Sequence, residues 1–157
     1  MIYRLRIILD TKQDVLRDIE ILSINTFEDL HYAIINAFDF KDNEMASFYL
    51  SDKEWKQGEE ITLESFGEER VMKDNVLETI INLDQQNFIY VYDFLILWTF
   101  FVEVIETNEE NDSTNYPQTI FSIGSIPEKA PEKLFIEDKS DEFEKDELDD
   151  VDPYQFY

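Results

Sequence analysis

Across residues 2–10 apolar and polar positions alternate. Tyr3, Leu5, Ile7 and Leu9 fall on one side, and Arg4, Arg6 and Ile8 on the other. That period of two belongs to a strand with one buried face. Thr11-Lys12-Gln13-Asp14 breaks it. Residues 15–24 resume it, with Ile19, Ile21 and Ser23 opposite Asp18, Glu20 and Leu22, and the two runs read as a hairpin. The period then changes. Leu30, Ala33, Ile34, Ala37 and Phe38 recur at i, i+3, i+4, i+7 and i+8, the single apolar stripe of a packed helix. Thr26-x-x-Asp29 approximates a capping box, with Asp in place of the usual Glu.

Residues 46–50 read as a short strand. Residues 51–70 read as a long polar loop with one short strand at 61–63. Asp74 is expected to cap a second helix whose apolar face is Val76, Leu77, Ile80, Ile81 and Leu83. Residues 88–105 are the most apolar stretch, with Asp93 and Glu103 as its only charges. Its length approaches that of a membrane helix. However, its Tyr, Phe, Val and Ile suit strands, and central acids cost several kcal/mol in lipid. Two consecutive core strands or one long bent strand are expected, with no Gly, Pro or Asn inside to mark a turn. A last strand is expected at 119–125. The order ββαβαβββ predicts an α+β fold, a mainly antiparallel sheet with two helices packed on one face. Its core is expected to be built on Leu9, Ile19, Leu30, Ile34, Phe38, Tyr92, Phe94 and Trp98.

Charge changes the picture at the C-terminus. From Glu137 to Asp152 there are ten acids against two lysines, followed by the aromatic Pro153-Tyr154-Gln155-Phe156-Tyr157. Such a block reads as an acidic, flexible tail. It divides the chain into a domain at 1–132 and a tail at 133–157. The tail's interleaved aromatics also suit an acidic segment that folds on a basic, apolar partner. Over the whole chain, 37 acidic against 13 basic residues leave a net charge of −24. That argues against a phosphate backbone or an anionic membrane as partner, and for solubility or a basic protein partner. With no cysteine, disulfides, thiolate nucleophiles and Cys-ligated metals are excluded. A cytoplasmic location is expected, the N-terminus reading as a strand rather than a signal peptide.

The sequence offers few chemical groups for a reaction. His31 is the only histidine, so a His-rich metal site cannot be built. It is a general-base candidate, but the first turns of a helix tend to lower its pKa, and it reads as a partly exposed helix histidine. Asp93 is the acid inside an apolar run. It needs a partner such as Arg17 or backbone amides, or a shifted pKa. No phosphate loop, dinucleotide fingerprint, nucleophile elbow or zinc-protease motif occurs, and no cofactor is expected.

The chain resembles the Ri-plasmid open-reading-frame-three-like family, whose members are also described as passenger proteins of insertion elements. Arg17-x-Ile19-Glu20-Ile21 resembles the family's W-R-R-I-E-V hairpin. Leu30-His31-x-x-Ile34-x-x-Ala37-Phe38 resembles its L-H-x-x-I-x-x-A-F helix. Tyr90-x-Tyr92-Asp93-Phe94, Trp98 and Glu103 resemble its Y-x-Y-D-F-G-D-x-W-E-H signature, and Pro127-Glu128 and Pro131-Glu132 its proline–acid stretch. The resemblance spans about residues 1–132. Leu95 and Ile96 stand where the signature has Gly and Asp, Thr99 and Phe100 where it has Glu and His. Leu16 replaces the hairpin Trp, and Glu44 replaces a frequent His. If relatives use that polar cluster for metal or acid–base work, this chain has lost it.

The reading that follows is a bacterial, non-enzymatic interaction or accessory domain, with Asp93, Arg17, His31, Glu103 and Trp98 as its candidate polar positions. Two rivals stand beside it. One is a divergent hydrolase with convergent carboxylates around Asp93 and Glu103. The other is an acidic nucleic-acid mimic that inhibits a DNA-binding protein. Acids gathered in a concave pocket favour the first, and acids in rows on a convex face favour the second.

Overall fold

The computed structural model describes residues 1–65, 67 and 70–131; the expected acidic tail lies outside them. The protein is α+β, built on a mostly antiparallel eight-stranded sheet. The first hairpin pairs β1 (Ile2–Leu9) with β2 (Leu16–Leu22), and α1 (Phe27–Phe38) follows. Then come β3 (Ala46–Ser51), β4 (Glu60–Thr62), β5 (Arg70–Val71) and the one-turn α2 (Leu77–Ile80). The chain closes with β6 (Asn87–Tyr92), β7 (Trp98–Asn108) and β8 (Gln118–Ile123). Spatial order is β5-β4-β3-β6-β7-β1-β2-β8, and only the β4–β5 pairing is parallel.

The predicted alternation holds in β1 and β2, and the other long strands share the face it buries. Tyr3, Leu5, Ile7, Leu9, Ile19, Ile21, Phe48, Tyr90, Phe100 and Val102 are buried on one face. α1 lies on that face, with Phe27 edge-on to Phe48 and Phe88, and Phe38 against Phe100. Its start is the expected capping box: Thr26 Oγ1 accepts the Asp29 amide at 3.1 Å, and Asp29 accepts the Thr26 amide at 2.9 Å. Leu77 and Ile80 of α2 join the same core.

Three expectations need correction. The second helix is a single turn preceded by a 3-10 turn, Met72–Asp74, and Asp74 does not cap it. The amides of Leu77 and Glu78 are taken instead by the carbonyls of Asn25 and Ser23, and a tight Asn82–Gln85 turn ends the segment with Leu83 91% exposed. The apolar run at 88–105 is two strands joined at Asp93–Leu97, which removes Phe94 from the core and leaves it 41% exposed. The two-residue β5 adds a strand that the loop reading of 51–70 omits. At the opposite end, Gly124 stops β8 with φ +72; a Cβ there would sit 2.3 Å from the Asp14 carbonyl oxygen.

Candidate functional site

The helix covers one face of the sheet, and the other face supplies the candidate site. Register places Tyr49, Ile89, Phe101, Ile8 and Leu16 in one row across β3, β6, β7, β1 and β2. Beside that row runs a second, Ser47, Val91 and Thr99. Trp55, from the β3–β4 loop, folds back onto this face and packs its ring 4.9 Å from that of Phe101.

Between these rows and the β6–β7 turn lies a groove of about 430 Å³. Ile89, Val91, Phe94, Leu97 and Phe101 wall it, and Tyr49, Gln57, Glu60, Thr99 and Asp10 supply its polar atoms. Glu60 is the organised carboxylate: Oε2 accepts from Ser47 Oγ at 2.6 Å and from Tyr49 OH at 3.3 Å. Among the described residues no cation pairs with it. Burial, with the Glu60 charge beside it, raises the Tyr49 phenol above its ordinary pKa, so the phenol stays a donor at neutral pH.

The turn that walls the groove hangs on Asp93. Its Oδ1 accepts the amides of Leu95 at 3.1 Å and Ile96 at 3.3 Å, and its carbonyl accepts those of Ile96 and Leu97. Asp93 and Leu97 both have positive φ, 67° and 65°, a region that Asp tolerates and Leu rarely enters. The expected partner for Asp93 is thus the backbone and not Arg17. The tip it holds exposes three consecutive apolar side chains, Phe94 at 41%, Leu95 at 94% and Ile96 at 52%.

The other candidate residues are placed elsewhere. Arg17 Nε donates to the Ala37 carbonyl at 3.0 Å, and its guanidinium stacks 4.8 Å over Phe38. It serves the C-terminal end of α1, where a cation suits the exposed carbonyls. His31 is buried rather than partly exposed, because the inward face of α1 is wider than the apolar stripe and includes Phe27, His31 and Ile35. Its Nδ1 shares a 2.7 Å hydrogen bond with the buried Tyr90 hydroxyl. Burial lowers its pKa to about 4, so it is neutral and closed to solvent. Trp98 belongs to an aromatic layer with Phe40, which stacks on Tyr92 at 4.5 Å. The Tyr92 hydroxyl donates to the Asp42 carbonyl.

Glu103 lies at the far end of the β6–β7 hairpin from Asp93, opposite Asn87. Five strand residues separate the two positions along β7 from the turn side, roughly 16 Å. They do not converge. Glu103 instead lines a separate polar cleft of about 550 Å³ with Asp52, Asp84, Lys53 and Asn87. Asp52 is spent there on its own loop, its Oδ1 accepting the amides of Glu54 and Lys56. Among the described residues no cluster of three or more His, Asp or Glu is arranged to hold a metal ion. No described helix is long and apolar enough to cross a membrane.

Sequence reasoning missed Asp18, which is fully buried on the outer face and bound by Arg4 Nη2 at 2.6 Å and Arg6 Nε at 2.8 Å. Burial alone would raise its pKa. The hydrogen bonds and charges of Arg6 and Arg4 outweigh that and hold it below the usual carboxylate range. The signal was present in Arg4 and Arg6 alternating opposite Asp18, since facing positions of a hairpin meet. Glu60 carried no such signal, because the long polar loop between β3 and β4 leaves their register unspecified and Glu60 itself reads as part of that loop.

Set beside known proteins, residues 1–132 match the family model described as plasmid pRiA4b ORF-3-like protein. Among solved structures, the fold is similar to that of a protein of unknown function, MM3350, from Methanosarcina mazei Go1. The TM-score is 0.72 and the identity 22%, over 81% of this chain and 72% of that one. At 22% identity the likeness concerns the fold alone. No curated protein matches.

Proposed function

This chain belongs to the plasmid pRiA4b ORF-3-like family, and on that premise we propose that it works as a non-enzymatic binding domain. Its open sheet face receives an extended segment of a protein partner, one that sets a Lys or Arg among apolar residues. The observation that carries this reading is the joining of the groove to the exposed Phe94-Leu95-Ile96 tip. A groove of this volume also falls in the range of small-molecule sites, but a small ligand inside it would leave Leu95 and Ile96 in water. Contiguous exposed apolar surface rimmed by polar groups marks protein interaction. The charge of the partner follows from Glu60, which offers its carboxylate at the edge of apolar walls, and from a chain at −24. Such a field speeds the encounter with a basic segment and discourages nucleic acid.

The test is an immobilised array of short peptides graded in charge and aromatic content, probed with the full chain. Retention should concentrate on peptides with Lys or Arg between apolar residues. It should fall roughly tenfold in Glu60→Gln and in Phe94→Asp, each a loss of about 1.4 kcal/mol. Retention that ignores peptide charge and survives both substitutions would end the proposal. The rival hydrolase reading has its support in the polar cleft of Asp52, Asp84 and Glu103. Turnover abolished by Glu103→Gln, with peptide retention unchanged, would favour it instead.

A further inference from the structure

Glu60 stands on β4 opposite Tyr49 of β3, with Ser47 at the diagonal position on the same face. Those are the two placements from which residues of paired strands reach each other. Both hydroxyls give their hydrogens to one oxygen. Ser47 Oγ donates to Glu60 Oε2 at 2.6 Å, and Tyr49 OH donates to it at 3.3 Å. A carboxylate has two lone-pair sites on each oxygen, so Oε2 is filled from within the protein. Ser47 is fully buried, which keeps water from competing for its place. Burial also holds the Tyr49 phenol protonated, so the second donor persists at neutral pH. Among the described residues nothing donates to Oε1, and no cation pairs with Glu60. The Thr99 hydroxyl, also in the groove, donates to the Leu97 carbonyl at 3.0 Å, so towards a ligand it can only accept.

Resting on the peptide-binding reading of this groove, we infer that Glu60 takes a lysine ammonium in preference to an arginine guanidinium, with Ser47 and Tyr49 as the residues that set the choice. Arginine's advantage at a carboxylate is its fork, two parallel N–H groups laid on two oxygens. Here one of the two oxygens has no lone pair left. A guanidinium would place one N–H on Oε1 and carry its other donors among Ile89, Val91 and Phe101, where a donor without an acceptor is costly. An ammonium is a compact charge with three donors. One meets Oε1, and the Thr99 hydroxyl and the Gln57 amide carbonyl offer further acceptors in the same groove. Its four-carbon stem has apolar walls to lie along. Lysine thus needs only what Oε2 leaves open, whereas arginine needs both oxygens.

Fluorescence anisotropy of the full chain tests this with three labelled peptides, identical except for Lys, Arg or trimethyl-lysine between apolar residues. The Lys peptide should bind roughly tenfold more tightly than the Arg peptide. It should also outbind trimethyl-lysine, which keeps the charge but has no N–H to give Oε1. Ser47→Ala with Tyr49→Phe empties Oε2 and should bring the Lys-to-Arg ratio to one or below, with circular dichroism unchanged. Tyr49→Phe alone, which keeps the ring in the groove wall, should move the ratio the same way by a smaller step. Asp10→Asn, at the groove's other acid, should leave the ratio as it is. Equal binding of Lys and Arg by the native chain, or a ratio unmoved by emptying Oε2, overturns the inference. If Glu60→Gln still weakens both peptides in that case, the peptide-binding reading survives without the lysine preference. Failure of the native chain to bind any of the three removes both.

Discussion

At the scale of single residues, two buried polar groups both make the fold less stable as pH falls, over different ranges. His31 is neutral inside, with its pKa at about 4 against an ordinary 6.5. Between those values the unfolded chain binds the proton that the folded one refuses, so stability is full above the ordinary value and falls as pH drops towards 4. The loss is roughly 2 kcal/mol between pH 7 and pH 5 for one such group. Urea titrations at both pH values should show it in the native chain and not in His31→Gln; equal pH slopes would sever His31 from the effect. Asp18 works at lower pH. Its pKa is depressed by Arg6 and Arg4, so its contribution is present above the ordinary carboxylate range and is lost as pH falls through its folded value. Asp18→Asn should cost about 3 kcal/mol in urea at pH 7, the low end for a broken buried pair, because the two guanidiniums keep 29% and 35% exposure. A loss under about 1 kcal/mol would rank the cluster with ordinary surface pairs.

At the scale of elements, the β6–β7 turn shows where local pattern stops being informative. Gly, Pro and Asn announce turns because they tolerate unusual φ or cannot join a ladder. Asp93–Leu97 contains none of them, and the resembled signature's Gly and Asp are here Leu95 and Ile96. What bends the chain is the Asp93 carboxylate holding two amides at positive φ. Asp93→Asn keeps an acceptor and a tolerance for that φ and should shift stability by under roughly 0.5 kcal/mol. Asp93→Ala lacks both and should lose about 1–2 kcal/mol, read by thermal melting; equal melting of the two would show that the turn does not rest on that side chain. The second helix fails for a related reason. Its apolar residues satisfy a helical period, but the backbone groups at its start find partners in the Ser23–Asn25 segment, and that docking limits it to one turn. By contrast, the positions of the first hairpin and α1 were legible. Their periods are long, and the capping box names the helix's first turn within the sequence itself.

At the scale of the whole molecule, a charge of −24 on 157 residues strains the compact state by self-repulsion. Added sodium chloride should therefore raise the melting temperature from low to physiological salt, and a melting point indifferent to salt would mean that the acids are spaced widely enough not to repel. Sequence alone determined the α+β class, the buried face of the first two strands, the capped helix and the family. These depend on periodicity and short-range hydrogen bonding, which neighbouring residues encode directly. Tertiary structure decided what shares a surface. It took His31 inward to Tyr90, assigned Arg17 to the end of α1, parted Asp93 from Glu103 along one hairpin, and set Glu60 of one strand beside Ser47 and Tyr49 of another. Each outcome depends on which strands become neighbours and in what register, and those are long-range pairings that a linear pattern of apolar and polar positions does not contain.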